Sequence, residues 1–485
     1  MAGGIERRHL VLVWGVGILL LGGAVAFLLA RGDVRTVLLV LLTVLGLLCL
    51  SPRRGVFIIL LFLPFMYFLR RQVLYFNEFS QKDPILIFPS LVTIAMFLGF
   101  IIFYSERLYH YVRRSALMKA ILALLVLFGV QIFNPLQGNL LIGMAGAIYF
   151  IVPALWVFMG LLVEPRDVRR ILLMVVAIGA VTAMYGIYQH YFGISDVERY
   201  ELESKGFFKA FGARARSMST FAGLADFSVY LANAGFLAFA HFWRTKRNPI
   251  LLGLFALMAF AMVWVANRTS ILVLLFTVTW FLIVYSRRPG LVLARGALAL
   301  VVVAGLYAYF YSRTSEEIYA AHGSDNPFIA HTVAGVTRPT DESTFRIRLG
   351  IWEYIVSSAV TRYPFGRGLG STTTAARKFE GGKMQEAESY FFELIHGSGL
   401  LAGALYLVVM GLILRDGLSL SFRAPDDQVY KIVLGLMGAF FLGSLFGLSL
   451  RDTISSPLAW LLIGWIIREA VDRREEAALP AAAAA

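Results

Sequence analysis

The chain alternates long apolar runs with short polar clusters. Each apolar run is close to the roughly 20 residues a helix needs to cross a bilayer. About 14 candidate spans follow from that criterion, near 10–30, 35–50, 56–69, 85–104, 117–134, 140–163, 170–191, 219–242, 249–266, 269–285, 291–311, 389–414, 429–450 and 455–467. The second and third are short, which leaves a count of about 12 open. The pattern predicts an all-α, polytopic transmembrane bundle.

The polar clusters orient these spans. With the N-terminus inside and sides alternating, the inner loops hold Arg53-Arg54, Arg113-Arg114, Arg169-Arg170, Lys246-Arg247, Arg287-Arg288 and Arg473-Arg474. Basic residues collect on the cytoplasmic side of membrane proteins, so this register places both termini in the cytoplasm. Arg31, Arg35, Arg70 and Arg71 fall in outer loops and weaken the fit near the N-terminus. Two outer loops are substantial, about Phe192 to Ser217 and Ser312 to Ala387. Long loops in a tight bundle usually carry function. Within the second, Phe345, Leu349, Trp352 and Ile355 share one face at helical spacing. They predict an amphipathic helix near the outer membrane–water boundary.

Composition agrees with a membrane chain. The 485 residues are 59% hydrophobic and only 15% charged, where a soluble domain has about a quarter charged. Mean hydropathy is +0.74. The net charge of +14 does not imply nucleic acid, because the basic residues sit in clusters between apolar runs. Cys49, the only cysteine, lies in an apolar segment and offers neither an internal disulfide nor a thiolate metal site. The first apolar run reads as a retained span and not as a cleaved signal peptide. The expected organisation is an N-terminal transmembrane bundle (1–311), an extracytoplasmic catalytic loop (312–387), C-terminal transmembrane helices (388–470) and a disordered tail (471–485).

Three arginines break the topology rule. Arg216, Arg268 and Arg348 all fall at the outer face, beside spans. Arginine suits phosphate because its planar fork donates parallel hydrogen bonds and stays charged. A set of them could hold a pyrophosphate without a metal and stabilise it as a leaving group. Arg268 is squeezed between two spans in Asn267-Arg268-Thr269. Arg216 has a close alternative in Arg214. Against these readings stand snorkelling to lipid phosphate for Arg268, an interfacial anchor for Arg216 and a solvated helix face for Arg348. Glu388, at the mouth of the span after the loop, is a candidate general base, or else simply a charge partner for one of the arginines. The seven histidines form no metal-binding set. Gly366-Arg367-Gly368-Leu369-Gly370 reads as a turn, because it lacks the strand–helix setting of a phosphate loop. Asp226 is the main ionisable residue well inside a span.

Several segments together resemble the bacterial O-antigen ligase and polymerase family of membrane glycosyltransferases. They are Tyr185-Gly186-Ile187-Tyr188-Gln189, Arg216 to Phe221, Asn267-Arg268-Thr269, Arg348 to Trp352 with Pro364 to Gly368, and Glu388 through Leu401. The resemblance spans roughly 170–410. It implies a GT-C-like fold in the bacterial inner membrane with its active site facing the periplasm. The implied donor is a glycan on undecaprenyl pyrophosphate, gripped by Arg216 (or Arg214), Arg268 and Arg348. A hydroxyl of a lipid-linked repeat unit attacks the anomeric carbon with inversion, and Glu388 takes the proton or orients the acceptor. Neither nucleotide, metal nor other cofactor is required. Membrane lipid, a chain-length regulator and export proteins are the expected partners. Family ligases tend to carry His-Asn where Glu388-Ser389 stands here, which favours the polymerase branch. A ligase transferring glycan to lipid A core, a flippase of lipid-linked glycan and an export scaffold are the alternatives.

Overall fold

The computed structural model describes residues 51–77, 84–204, 210–211, 214–245, 248–286, short pieces of 290–305, 343–373, 375–376, 387–424 and 427–483. The expected spans near 10–30 and 35–50, and the part of the outer loop from 312 to 342, lie outside the described residues.

Helices dominate. In chain order they are α1 (Pro52–Asn77), α2 (Pro84–Arg114), α3 (Ala116–Gln131), α4 (Leu140–Ala154), α5 (Trp156–Gly160), α6 (Pro165–Phe192), α7 (Asp196–Ser204), α8 (Leu224–Thr245), α9 (Pro249–Val265), α10 (Arg268–Tyr285), α11 (Ser343–Thr361), α12 (Tyr390–Arg423), α13 (Gln428–Leu445) and α14 (Ser456–Ala483). A two-residue antiparallel pair, β1 (Ala210–Phe211) and β2 (Arg214–Ala215), lies between α7 and α8. Among the described residues, seven helical stretches are long and apolar enough to cross a membrane. The chain is a multi-pass, all-α membrane protein.

Side-chain caps set several helix starts. Ser115, Asn139, Asn248 and Ser389 each accept a hydrogen bond from a backbone N–H in the following first turn. Pro249 stands at the first position of α9, where its missing N–H costs nothing. The third expected span is longer than its apolar run: α1 continues through Arg70 and Arg71 to Asn77. Those two arginines are therefore not loop residues, and both are buried.

The core centres on large aromatics, with Trp156, Trp460 and Trp465 fully buried. α5 crosses α14 with backbones almost touching, since a Cβ on Gly160 would lie 2.0 Å from the Leu461 carbonyl oxygen. Small residues permit such crossings between membrane helices. α8 packs on α6, α9 and α10, and α12 packs on α3, α11, α13 and α14.

α11 is the expected amphipathic helix, with its apolar face extended by one turn beyond Ile355 and without Leu349. Trp352, Ile355 and Ala359 are buried, and Leu349 is exposed. The buried face packs on α12, where Trp352 stacks on Phe392 at 4.8 Å and donates its indole N–H to the Ala387 carbonyl.

Candidate active site

Two arginine motifs meet where α6, α8, α9 and α10 converge. Arg216 follows β2 and reaches α9's C-terminus, donating to the carbonyls of Val265 (3.0 and 2.8 Å) and Ala266 (2.8 Å). Arg268 opens α10 just beyond. Burial pushes the Arg216 guanidinium down to about 10, and the neighbouring Arg268 cation pushes the same way. Arg216 therefore remains a cation at neutral pH, at a place where a second cation repels it. An anion there would relieve that repulsion. Arg214 lies in β2, and its side chain lies outside the described residues.

The segment after Arg216 is tightly held. Gln189, near the end of α6, accepts from the backbone N–H of Ser219 (2.7 Å) and Met218 (3.2 Å). The hydroxyls of Ser217, Ser219 and Thr220 donate to the carbonyls of Gly186, Thr182 and Pro64. From α1, Arg71 donates to the carbonyls of Ser219 and Phe221. It also lies 3.7 Å from Glu198, with both side chains buried. Glu198 in turn accepts from Gln189 (2.6 Å) and Tyr185 (2.9 Å). Arg71 and Glu198 are positioning residues that sequence reasoning did not pick out. The available signal for Arg71 was its misfit with the topology rule, as a basic residue in an expected outer loop; Glu198 gave none.

Arg348 and Glu388 form the second pair. Arg348 projects from α11 and is ion-paired with Glu388, just ahead of α12. Glu388 is thus a charge partner as well as a candidate base. The described residues bring Arg216 near Arg268 and pair Arg348 with Glu388.

Backbone strain marks the same places. Ser219, Ala266 and Glu388 are the non-glycine residues with positive φ among those described, each at 52°. Ser219 stands three residues past Arg216, and Ala266 two before Arg268. Such conformations cost on the order of 1 kcal/mol or more and persist only where surrounding contacts enforce them.

The glycine-rich stretch is a turn, as expected, and it plugs a broken helix. α12 is interrupted at Gly399, whose φ is 83°. Arg367 and Gly368 donate backbone N–H bonds to the carbonyls of His396 and Gly397, and Leu400 donates to Pro364. These bonds satisfy groups that the break frees inside the bundle. A side chain at Gly366 would meet the Gly397 carbonyl oxygen at 2.4 Å. The plug fixes α12 beneath Glu388. Among the described residues, no three His, Cys, Asp or Glu side chains group as metal ligands would.

Residues 253–407 match the family described as O-antigen ligase. The match supports membership of the O-antigen ligase and polymerase family and glycan transfer of that type. The matched stretch runs from α9 into α12 and so contains Arg268, Arg348, the plug and Glu388. Arg216 and Gln189 lie upstream of it, and the fold brings them to Arg268. No curated protein matches the chain.

Proposed function

We propose that the protein is a polysaccharide polymerase. It transfers a growing glycan from undecaprenyl pyrophosphate to a lipid-linked repeat unit. The carrying observation is the proximity of Arg216 and Arg268, two half-buried cations at the start of α10. The N-terminal N–H groups of that helix add positive potential. Pyrophosphate brings negative charge to these two cations, and its charge grows as the glycosidic C–O bond breaks. Donors already aimed there stabilise the leaving group more than the ground state. The acceptor hydroxyl forms the new C–O bond with inversion, and its proton passes to Glu388 or to water that Glu388 orients. The reaction is metal-independent and proceeds at the periplasmic face of the inner membrane, with both termini in the cytoplasm. Chain-length regulator and export proteins are the partners this activity calls for.

The family description favours a second reading, a ligase passing finished glycan to lipid A core or another acceptor. Product size separates the two. Purified protein is reconstituted with lipid-linked repeat units and no nucleotide. The polymerase reading expects a ladder of long chains, lost in Arg268→Ala and Glu388→Gln. Full growth in both variants would sink the site assignment. Transfer of preformed chains without growth would favour the ligase.

A further inference from the structure

The arginine pair leaves one group of ionisable side chains unused, and Asp226 belongs to it. Several elements converge there: Tyr67 and Arg70 from α1, Tyr149 from α4, Asp226 from the first turn of α8, Glu393 from α12, and Arg451 and Asp452 ahead of α14. Asp226 and Asp452 lie close enough for their charges to repel, with Arg451 offsetting that repulsion. The Tyr67 hydroxyl senses Asp226, Tyr149, Asp452 and Arg70. Arg451 is buried, ion-paired with Glu393, with its guanidinium 4.8 Å from the centre of the Tyr149 ring.

Several polar groups of this cluster are left open to a ligand. Tyr67, Tyr149 and Asp226 are each half-buried, and none makes a hydrogen bond among the described residues. The Tyr390 hydroxyl, wholly buried beside Glu393 and Arg451, also has no hydrogen-bond partner. The Asp452 carboxylate is held by the backbone N–H groups of Ile454 (2.9 Å) and Ser455 (3.0 Å), which fixes its direction. An ionisable group inside a membrane bundle is expensive and marks function. Arg451 disfavours a bare cation. Carboxylates, phenol hydroxyls and aromatic faces together match a ligand rich in hydroxyls.

The position fits an acceptor. Arg71, the neighbour of Arg70, holds the Ser219 and Phe221 carbonyls, and Asp226 follows five residues after Phe221. The strained segment 217–221 thus joins this cluster to Arg216. We propose that Tyr67, Tyr149, Asp226 and Asp452 form a saccharide subsite that holds a sugar of the acceptor through its hydroxyls. Calling that sugar the acceptor rests on the glycan-transfer reading; binding itself does not.

The test needs no turnover. Oligosaccharides released by mild acid from the source cell's surface polysaccharide are titrated against the full-length protein in nanodiscs. Undecaprenyl pyrophosphate is titrated against the same preparation. Oligosaccharide affinity should fall about tenfold or more in Asp226→Ala and about threefold in Tyr67→Phe, and stay unchanged in Arg268→Ala. Undecaprenyl pyrophosphate should behave the opposite way. Tyr67→Phe removes one oxygen, so it guards against a folding artefact in Asp226→Ala. Wild type that binds no oligosaccharide, or variants that bind it as wild type does, would overturn the subsite. Loss of undecaprenyl pyrophosphate binding by wild type alone would overturn the arginine reading and leave the subsite standing.

Discussion

The two ends of α6 use arginine in opposite ways. The helix has 28 residues, so its ends are about 42 Å apart. At its start, cations meet carboxylates: Arg53 bridges Glu164 (2.8 Å) and Asp167 (2.6 Å), Arg169 pairs with Asp427 (2.9 Å), and Arg474 with Asp416 (2.7 Å). At its far end, Arg216 is held by main-chain carbonyls with Arg268 beside it. Carboxylate pairing spends a charge on anchoring the chain at a surface. Carbonyl support orients a guanidinium without neutralising its charge. A repelling pair of cations, held by strained backbone, is the arrangement a binding site for an anion needs.

The contrast can be broken by mutation, and Arg71→Met should have the largest effect. It leaves Glu198 buried beside a lost cation and releases the carbonyls of Ser219 and Phe221. Breaking a buried pair costs about 3–5 kcal/mol. Thermal unfolding in detergent should show it, and Arg71→Met with Glu198→Gln should recover part of the loss. Arg268→Ala comes next, with the rate of chain growth falling about 100- to 1,000-fold at nearly unchanged thermal stability. The effect of pH should be smaller. Arg216 loses its proton only as pH rises through about 10, so pyrophosphate affinity should hold near neutral pH and weaken toward that value. Smallest of all, Arg169→Gln at the other end should cost about 1 kcal/mol or less and leave transfer unchanged, because both partners of its pair are partly solvated. A large loss of transfer in Arg169→Gln would erase the distinction between the two ends.

Much of the bundle was legible in the sequence, because a span needs a long apolar run whatever its neighbours. α3, α9 and α10 begin within a residue of the expected positions. Arg70 and Arg71 misled the reading: two adjacent charges look like a loop, yet here they ride inside a helix because Arg71 has buried partners. The α11 face was right at Trp352 and Ile355 and wrong at Leu349, which is exposed. Trp352 and Ile355 follow the contour of α12, which the sequence of α11 does not contain. Arg268 and Glu388 stood out as outward charges. Their pairings did not, since Arg216 with Arg268 and Arg348 with Glu388 depend on how distant segments meet. The break at Gly399 was likewise hidden, because a glycine in an apolar run looks like any small residue until the Gly366 turn fills the gap.

The most direct measurement is binding of undecaprenyl pyrophosphate to the purified protein without turnover, across a salt series. The account predicts an affinity that falls with salt and drops about tenfold or more in Arg268→Ala. It predicts unchanged affinity in Arg474→Ala at the opposite end. Equal affinity in wild type and Arg268→Ala would contradict it.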